Sequence, residues 1–490
     1  MKEDFDPVKE LSEDVRTRFF VDGEWRSPAG ARRLNLISPV TEEVTLSVPA
    51  GSAEDMNAAI AAARKAFDVG EWTRLSVLER ARYLSRVADE VERRVELFQR
   101  IWIEQVGAPR WFATAFTGFA PVQLRYYAGL GESFPFEENR TTHAGTTVKV
   151  LREPVGVAAL IVPWNSPLIL LLSKLAPALM AGCTVVVKPS PETPLDALIL
   201  AECVQAAGLP EGVVNVVPAG REVGDLLVRD PRIDKVSFTG SSAVGRHIAS
   251  VCGDRMARVG LELGGKSATI LCEDADINTW MQTMSPMTMP FSGQICFAQT
   301  RVLVPRSRHD EFVEAYAAGV KGMKVGNPWE ADTQIGPVSI ARQLDRVLGF
   351  IDEGRQAGAR VVTGGGRAQG FDRGYYIAPT IFDRVTPDMS IAREEIFGPV
   401  VSVIDYESEE QAVAIANDTE FGLSGSVYSA DVERAERIAK RVRTGHISIN
   451  SFNLDLCAPF GGYKKSGLGR ESGPEGLAGF LETKSIFMPA

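Results

Sequence analysis

A chain of 490 residues is too long for one compact core, so two or three domains are expected. An apolar share of 45% with a charged share of 24% is that of an ordinary soluble globular protein and excludes general disorder. The net charge of −10 argues against nucleic acid or an anionic membrane as the main partner, because both select a basic surface.

The start, Met1 to Pro7, is charged and lacks the apolar core of a secretory signal, so a cytoplasmic location is expected. Phe19 to Trp25 and Ala31 to Val48 read as short strands with Gly and Pro turns. Helical spacing runs from Ser52 to Val69, from Ser76 to Gln105 and from Pro109 to Gly131, with Ser52 and Ser76 as N-caps. Between Pro135 and Val155 the Thr and Val content favours a hairpin that leaves the main body.

The longest apolar run, Val155 to Ser173, approaches membrane-spanning length, but Pro163, Asn165 and Pro167 interrupt it and Lys174 ends it. It reads as a buried strand, a turn and a buried helix. A regular alternation follows: strands near 183–188, 213–217, 235–238 and 258–263, separated by helices near 193–207, 222–230 and 242–250. Val- and Ile-rich strands without period-2 alternation, spaced by helices, predict a parallel sheet covered on both faces. Ligands of such sheets bind beyond the carboxyl ends of the strands. A second alternating series from Val302 to Asn450 predicts a second α/β unit, with helices near 309–322, 339–357 and 408–416.

Cys183, Cys203, Cys252, Cys272, Cys296 and Cys457 show no CxxC spacing and suit reduced thiols. The four histidines are isolated in the sequence, so no metal site is expected. Cys296 stands apart because a Gly-Gln turn signal precedes it and the strand-like Thr300 to Val304 follows. Its thiol would then be presented from a backbone bend with free N–H groups. A buried core cysteine is the plainer alternative.

Phe238, Thr239, Gly240 and Ser241 stand where a strand ends and a helix begins, a setting that could receive a dinucleotide pyrophosphate; an ordinary turn would look the same. Lys188, at another strand end, could reach an adenosine ribose or a ribose phosphate, or be an exposed loop lysine. Glu262 follows an apolar strand and precedes Gly264 and Gly265, where desolvation would raise its pKa into the range of a general base; a salt bridge with Lys266 is the structural alternative. Asn165 offers an amide for an oxyanion, or is a turn asparagine. Glu395, with Phe397 two residues on, could accept ribose hydroxyls, or belong to an acidic loop.

Taken in order, Val162 to Asn165, Lys188 to Ser190, Phe238 to Ser241, Leu261 to Lys266, Gly293 to Cys296, Glu394 to Pro399 and Pro459 to Glu471 resemble the aldehyde dehydrogenase superfamily over nearly the whole chain. The resemblance implies a Rossmann-like parallel-sheet cofactor domain, 1–131 with 153–261, and a catalytic α/β domain, 262–466. It also implies a small β oligomerisation arm with the C-terminal tail, 132–152 and 467–490, serving a homodimer or homotetramer. It makes Cys296 the nucleophile, Glu262 the base, Asn165 with the Cys296 N–H the oxyanion hole, and Lys174 a proton-relay or structural lysine. The cofactor would be held by Val162, Pro163, Trp164, Lys188, Ser190, Gly220, Gly224, Phe238, Thr239, Gly240, Ser241, Val244, Leu263, Gly264, Glu395 and Phe397. Ser166, Leu170, Ser173, Ile295, Phe297 and Phe460 would line the tunnel for a small-molecule aldehyde.

Two departures matter. Pro191 occupies the position where many NAD-preferring members carry a glutamate, with Glu192 one place later, so NAD is favoured and NADP left open. Ser166 and Ser173 replace aromatic residues common beside the tunnel, which implies room for a medium-to-large aliphatic, terpenoid or aromatic aldehyde. The rivals are a CoA-acylating semialdehyde dehydrogenase, against which Glu262 speaks, and a non-catalytic scaffold member, against which intact Cys296, Glu262 and Asn165 speak. A cysteine hydrolase lacks a recognisable histidine partner for Cys296.

Overall fold

The computed structural model describes residues 5–489, so the reading of Met1 to Asp4 lies outside the described residues. Ser52 and Ser76 do cap helices, each in a capping box with the acid three residues on, Asp55 and Glu79. Two single helices of the sequence reading are each divided. One ends at Arg93 and restarts at Val95. The other ends at Thr117 and restarts at Phe119, with Gly118 between. Val91, Phe98 and Trp102 are all buried and stay in helical phase across Arg94, so apolar periodicity carries no sign of that break.

The main sheet has eight strands. From edge to edge they are Gly467–Leu468, Arg258–Glu262, Lys235–Thr239, Val157–Ile161, Thr184–Lys188, Val214–Val216, Phe19–Val21 and Glu24–Arg26. The five central strands are parallel, and antiparallel strands close both edges. One apolar cluster, including Leu160, Val185 and Leu175, packs on one face, and another, including Val186, Val236 and Ile248, on the other. Burial on both faces is why these strands are unbroken apolar runs.

A second, seven-stranded sheet contains Ala268–Leu271, Arg301–Pro305, Val400–Tyr406 and Gly425–Tyr428 among its parallel strands. Its two faces also carry separate apolar clusters. The hairpin Glu137–Thr141 and Thr147–Pro154 pairs with Leu481–Phe487 in a three-stranded sheet that leaves Phe487 and Ile486 exposed. Among the described residues no helix is long and apolar enough to cross a membrane.

Candidate active site

Strand register sets the rim. Ile161 lies beside Lys188, Phe238 beside Ile161, and Thr239 beside Glu262, so the carboxyl ends of four strands present Val162, Lys188, Thr239 and Glu262 together. Asn165 follows the first of these strands and is buried. Its side-chain amide donates to the Gln294 carbonyl at 2.8 Å, and its own carbonyl accepts the Trp102 indole N–H at 2.8 Å.

Gln294 belongs to the loop that carries Cys296. Phe291, Ser292 and Gly293 all have positive φ, near 50°, 56° and 74°, and a side chain on Gly293 would collide with the Gly398 carbonyl. This bend is fixed from outside. The Ser292 hydroxyl donates to the Gly336 carbonyl at 2.8 Å, the Gln294 side-chain oxygen accepts the Ser339 N–H at 2.8 Å, and buried Phe291 stacks on Phe112. Gly265 packs so closely on the Cys296 carbonyl that a side chain there would collide with it.

Four of the other cysteines are buried and Cys457 is exposed, whereas Cys296 is half-buried at the bend. Burial pushes its thiol well above the usual range, and the nearby carboxylates of Glu395 and Glu262 push it further. Among the described residues no carbonyl accepts the Cys296 N–H.

Glu262 is buried, and its Oε2 finds no hydrogen-bond partner among the described residues. Burial raises its carboxyl well above the ordinary range; the Glu471 charge adds to the shift, and Lys174 and Arg470 oppose it. The salt bridge to Lys266 does not form. The fully buried Lys174 pairs with Glu471, and the Lys266 ammonium has no hydrogen-bond partner among the described residues. Behind Glu262 lies a cavity of about 170 Å³ lined by Ser173, Lys235, Arg258, Arg470 and Glu471. Ser173 was expected beside the tunnel. Its hydroxyl donates to Glu471 at 2.8 Å and it faces this cavity. Ser166 is buried in a crevice with Trp102, Leu168 and Asp196, and Leu170 is half-buried on the same helix, Pro167–Ala181.

Lys188 is not an exposed loop lysine. It is buried and donates to the Pro189 carbonyl at 3.0 Å, and burial lowers its ammonium to about 8. Its chain packs 3.1 Å from where a Gly224 side chain would begin, while Gly220 opens the helix Arg221–Arg229 with free space above it. Ser241 caps the helix Ser242–Asp254, whose exposed Val244 follows, and the buried Thr239 hydroxyl is unpartnered. A side chain on Gly240 would strike the Phe238 ring. Ser190 bonds the Glu192 carboxylate, which also pairs with Arg342 at 2.6 Å.

Glu395 reaches in from the second unit. Its carboxylate accepts the Gly265 N–H at 3.0 Å and lies so close over Gly264 that a side chain there would collide; burial raises it to about 7. The Phe397 ring meets Trp164 edge-on at 5.5 Å, and Trp164 follows Pro163 in the turn after the strand. Leu263 packs under Gly245. Ile295, Trp102 and Phe112 form one apolar cluster with Phe297, Phe116 and Trp164 against it, and Phe297 touches Phe452 and Phe460. The sequence reading missed Trp102, Phe112, Phe116, Phe452, Lys235 and the role of Glu471. The spacing of Phe112, Phe116 and Phe119 along two short helices was the available signal for the aromatic members. No group of three or more His, Cys, Asp or Glu among the described residues could hold a metal.

Comparison with known proteins gives one answer. The model of the aldehyde dehydrogenase family matches residues 25–486. Geranial dehydrogenase from Castellaniella defragrans is 46% identical over 470 residues, which cover 96% of this chain and 98% of that protein. A Mycobacterium tuberculosis aldehyde dehydrogenase complexed with NAD+ superposes with a TM-score of 0.95 at 44% identity, covering 96% of this chain and 98% of that one. A mutant of aldehyde dehydrogenase C from Pseudomonas syringae, in complex with NAD+ and octanal, gives a TM-score of 0.94 at 40% identity, covering 98% and 99%. With the family model spanning nearly its whole length, this chain belongs to the aldehyde dehydrogenase family.

Proposed function

We propose that the protein oxidises a medium-to-large apolar aldehyde to its carboxylic acid with NAD as hydride acceptor. The carrying observation is geometric: Gly265 packs on the Cys296 carbonyl while its N–H is held by the Glu395 carboxylate at 3.0 Å, and Glu262 lies three residues before it, so the thiol loop and two carboxylates from different segments meet on one rim.

Cys296 adds to the aldehyde carbon, its thiol proton passing to solvent water as the C–S bond forms and the carbonyl oxygen becomes the oxyanion. The oxyanion is held by the Cys296 N–H and by the second amide hydrogen of Asn165, the first being taken by Gln294. Loss of hydride leaves a thioester on Cys296. Glu262, its Oε2 without a partner among the described residues and its carboxyl raised by burial, then takes a proton from water, which attacks the thioester and frees the acid. Lys174, paired to Glu471, holds that second carboxylate beside Glu262.

The residues present fit a dinucleotide. Two helix N-termini at Gly220 and Ser241, the unpartnered Thr239 hydroxyl, and the Lys188 ammonium offer donors; Glu395 offers an acceptor over the bare backbone of Gly264. NAD, when bound, supplies the hydride acceptor. Val162, Trp164, Ser190, Gly224, Phe238, Gly240, Val244, Leu263 and Phe397 would complete its surroundings. The Glu192 carboxylate near Lys188 favours NAD over NADP, because a 2′-phosphate would meet it.

The apolar lining of Ile295, Phe297 and Phe460 supports a greasy substrate, as do the names of relatives that act on geranial or bind octanal. The cofactor domain would be 1–131 with 153–261, the catalytic domain 262–466, and the three-stranded sheet with the tail an arm for a homodimer or homotetramer in the cytoplasm. A panel of aldehydes with NAD and with NADP, followed by NADH absorbance, tests the reading. We expect free acid without CoA and higher kcat/KM for octanal or geranial than for acetaldehyde; equal values for long and short aldehydes would overturn the substrate class.

A further inference from the structure

His446 lies outside the reaction just described, yet a continuous set of contacts joins it to the catalytic cysteine. Its Nδ1 meets the Ser424 hydroxyl at 2.9 Å and its Nε2 meets the Asn453 carbonyl at 2.7 Å. A carbonyl can only accept, so Nε2 carries the hydrogen and Nδ1 accepts from Ser424. Burial holds the ring below its usual pKa, so this neutral form persists at neutral pH. The imidazole packs edge-on against Phe452 at 5.5 Å; Phe452 stacks on Phe297 at 5.2 Å and 25°; and Phe297 follows Cys296 and meets Phe460 edge-on at 6.3 Å.

The segment between Asn450 and Phe460 needs such a tie. Asn453, Leu454, Asp455, Cys457 and Ala458 are all exposed, and the segment has no regular structure between Asn450 and the Phe460–Glu471 pairing. Asn450 anchors its start, through bonds to Val427 and Ser429, and Phe460 anchors its end. Among the described residues, three bonds reach back from the segment to the preceding strand, Ser448–Ile449, and its lead-in: Ser451 donates to the Ile449 carbonyl at 3.0 Å, Ser448 accepts the Asn453 N–H at 3.3 Å, and His446 alone holds the Asn453 carbonyl.

We propose that His446 is a positioning residue that sets aldehyde selectivity: by pinning the Asn453 carbonyl it holds Phe452 flat on Phe297, which builds one wall of the acyl tunnel. This rests on the reading of Phe297 and Phe460 as tunnel walls. A long acyl chain makes its added contacts along this aromatic wall, whereas acetaldehyde does not reach it. Loosening the wall therefore changes the discrimination between them and leaves the chemical step alone.

The test is kcat/KM for octanal and for acetaldehyde with the NAD-loaded enzyme. His446→Ala should lower the octanal value about tenfold, through KM, and leave acetaldehyde within about twofold. His446→Gln keeps an N–H for Asn453 and an oxygen for Ser424, and should restore the ratio. Phe452→Ala should reproduce the His446→Ala ratio and decides the matter if His446→Ala does not fold. An unchanged ratio in both variants, or a parallel fall for both aldehydes that Gln does not rescue, overturns the proposal. Phe297→Ala is the control: if it leaves the ratio unchanged, the tunnel reading itself fails, whereas a change there with none at His446 rejects only the role of His446.

Discussion

The Asn165 amide donates to the Gln294 carbonyl across 2.8 Å, tying the turn after the strand Val157–Ile161 to the loop that carries Cys296. One side chain thus sets the loop and keeps a second amide hydrogen, which the proposed mechanism assigns to the oxyanion. Asn165→Ala should lower kcat by about 10² to 10³. Asn165→Asp, which has no N–H to offer, should be no better. Steady-state rates with octanal check this, and near-native kcat in Asn165→Ala would refute the oxyanion role.

Glu262→Gln should keep the first burst of NADH and slow turnover by about 10² or more, since deacylation needs the base and hydride loss does not. Stopped-flow absorbance separates the two phases. Equal loss of burst and turnover would place Glu262 in acylation instead.

Cys296 rests as a neutral thiol because burial, then Glu395, then Glu262 all disfavour its thiolate. Removing the Glu395 charge should lower that pKa. Glu395→Gln is therefore expected to speed alkylation of Cys296 by iodoacetamide at pH 7.5, read by peptide mass so that exposed Cys457 is counted separately. Unchanged or slower alkylation would contradict the coupling.

NAD affinity should pass through a maximum near neutral pH. Glu395, raised to about 7, loses its negative charge as pH falls through that value; Lys188, lowered to about 8, loses its positive charge as pH rises through that one. Both charges are present only between these limits. Calorimetric titration of NAD from pH 5.5 to 9.5 tests this, and Glu395→Gln should remove the acid limb alone. A flat profile would refute both assignments.

Lys266 is buried with no hydrogen-bond partner among the described residues, and burial lowers its ammonium to about 7. The unfolded chain holds that proton up to about 10.4, so between these values it binds more protons than the folded protein. Stability from this residue therefore rises with pH across that window, and the penalty is complete below about 7. Lys266→Met should stabilise the fold by about 1–3 kcal/mol at pH 6, with the gain shrinking toward pH 10. Melting temperatures at fixed scan rate report it; a lower Tm at pH 6 would show that the charge is needed.

Much of this protein was legible before any coordinates. Strand and helix alternation, the caps at Ser52 and Ser76, and the glycines beside Glu262 are local features, each set by residues a few positions apart. They sufficed for an α/β fold and for the family resemblance. The break at Arg94 was invisible because the apolar phase continues through it.

Which long-range partner each buried polar group would find was decided only by the tertiary structure. Lys174 and Ser173 meet Glu471, Glu262 Oε2 finds no partner among the described residues, Lys188 is buried, and Phe452 lies on Phe297 because segments far apart in the chain close onto one rim. Periodicity and capping act within a few turns of chain, but burial and charge pairing depend on which distant surfaces pack together. The residue types at the site could therefore be read from the sequence, as could the raised carboxyl of Glu262 from its apolar neighbours; the partners and orientation of these groups, and the shifts at Lys188, Lys266 and Glu395, could not.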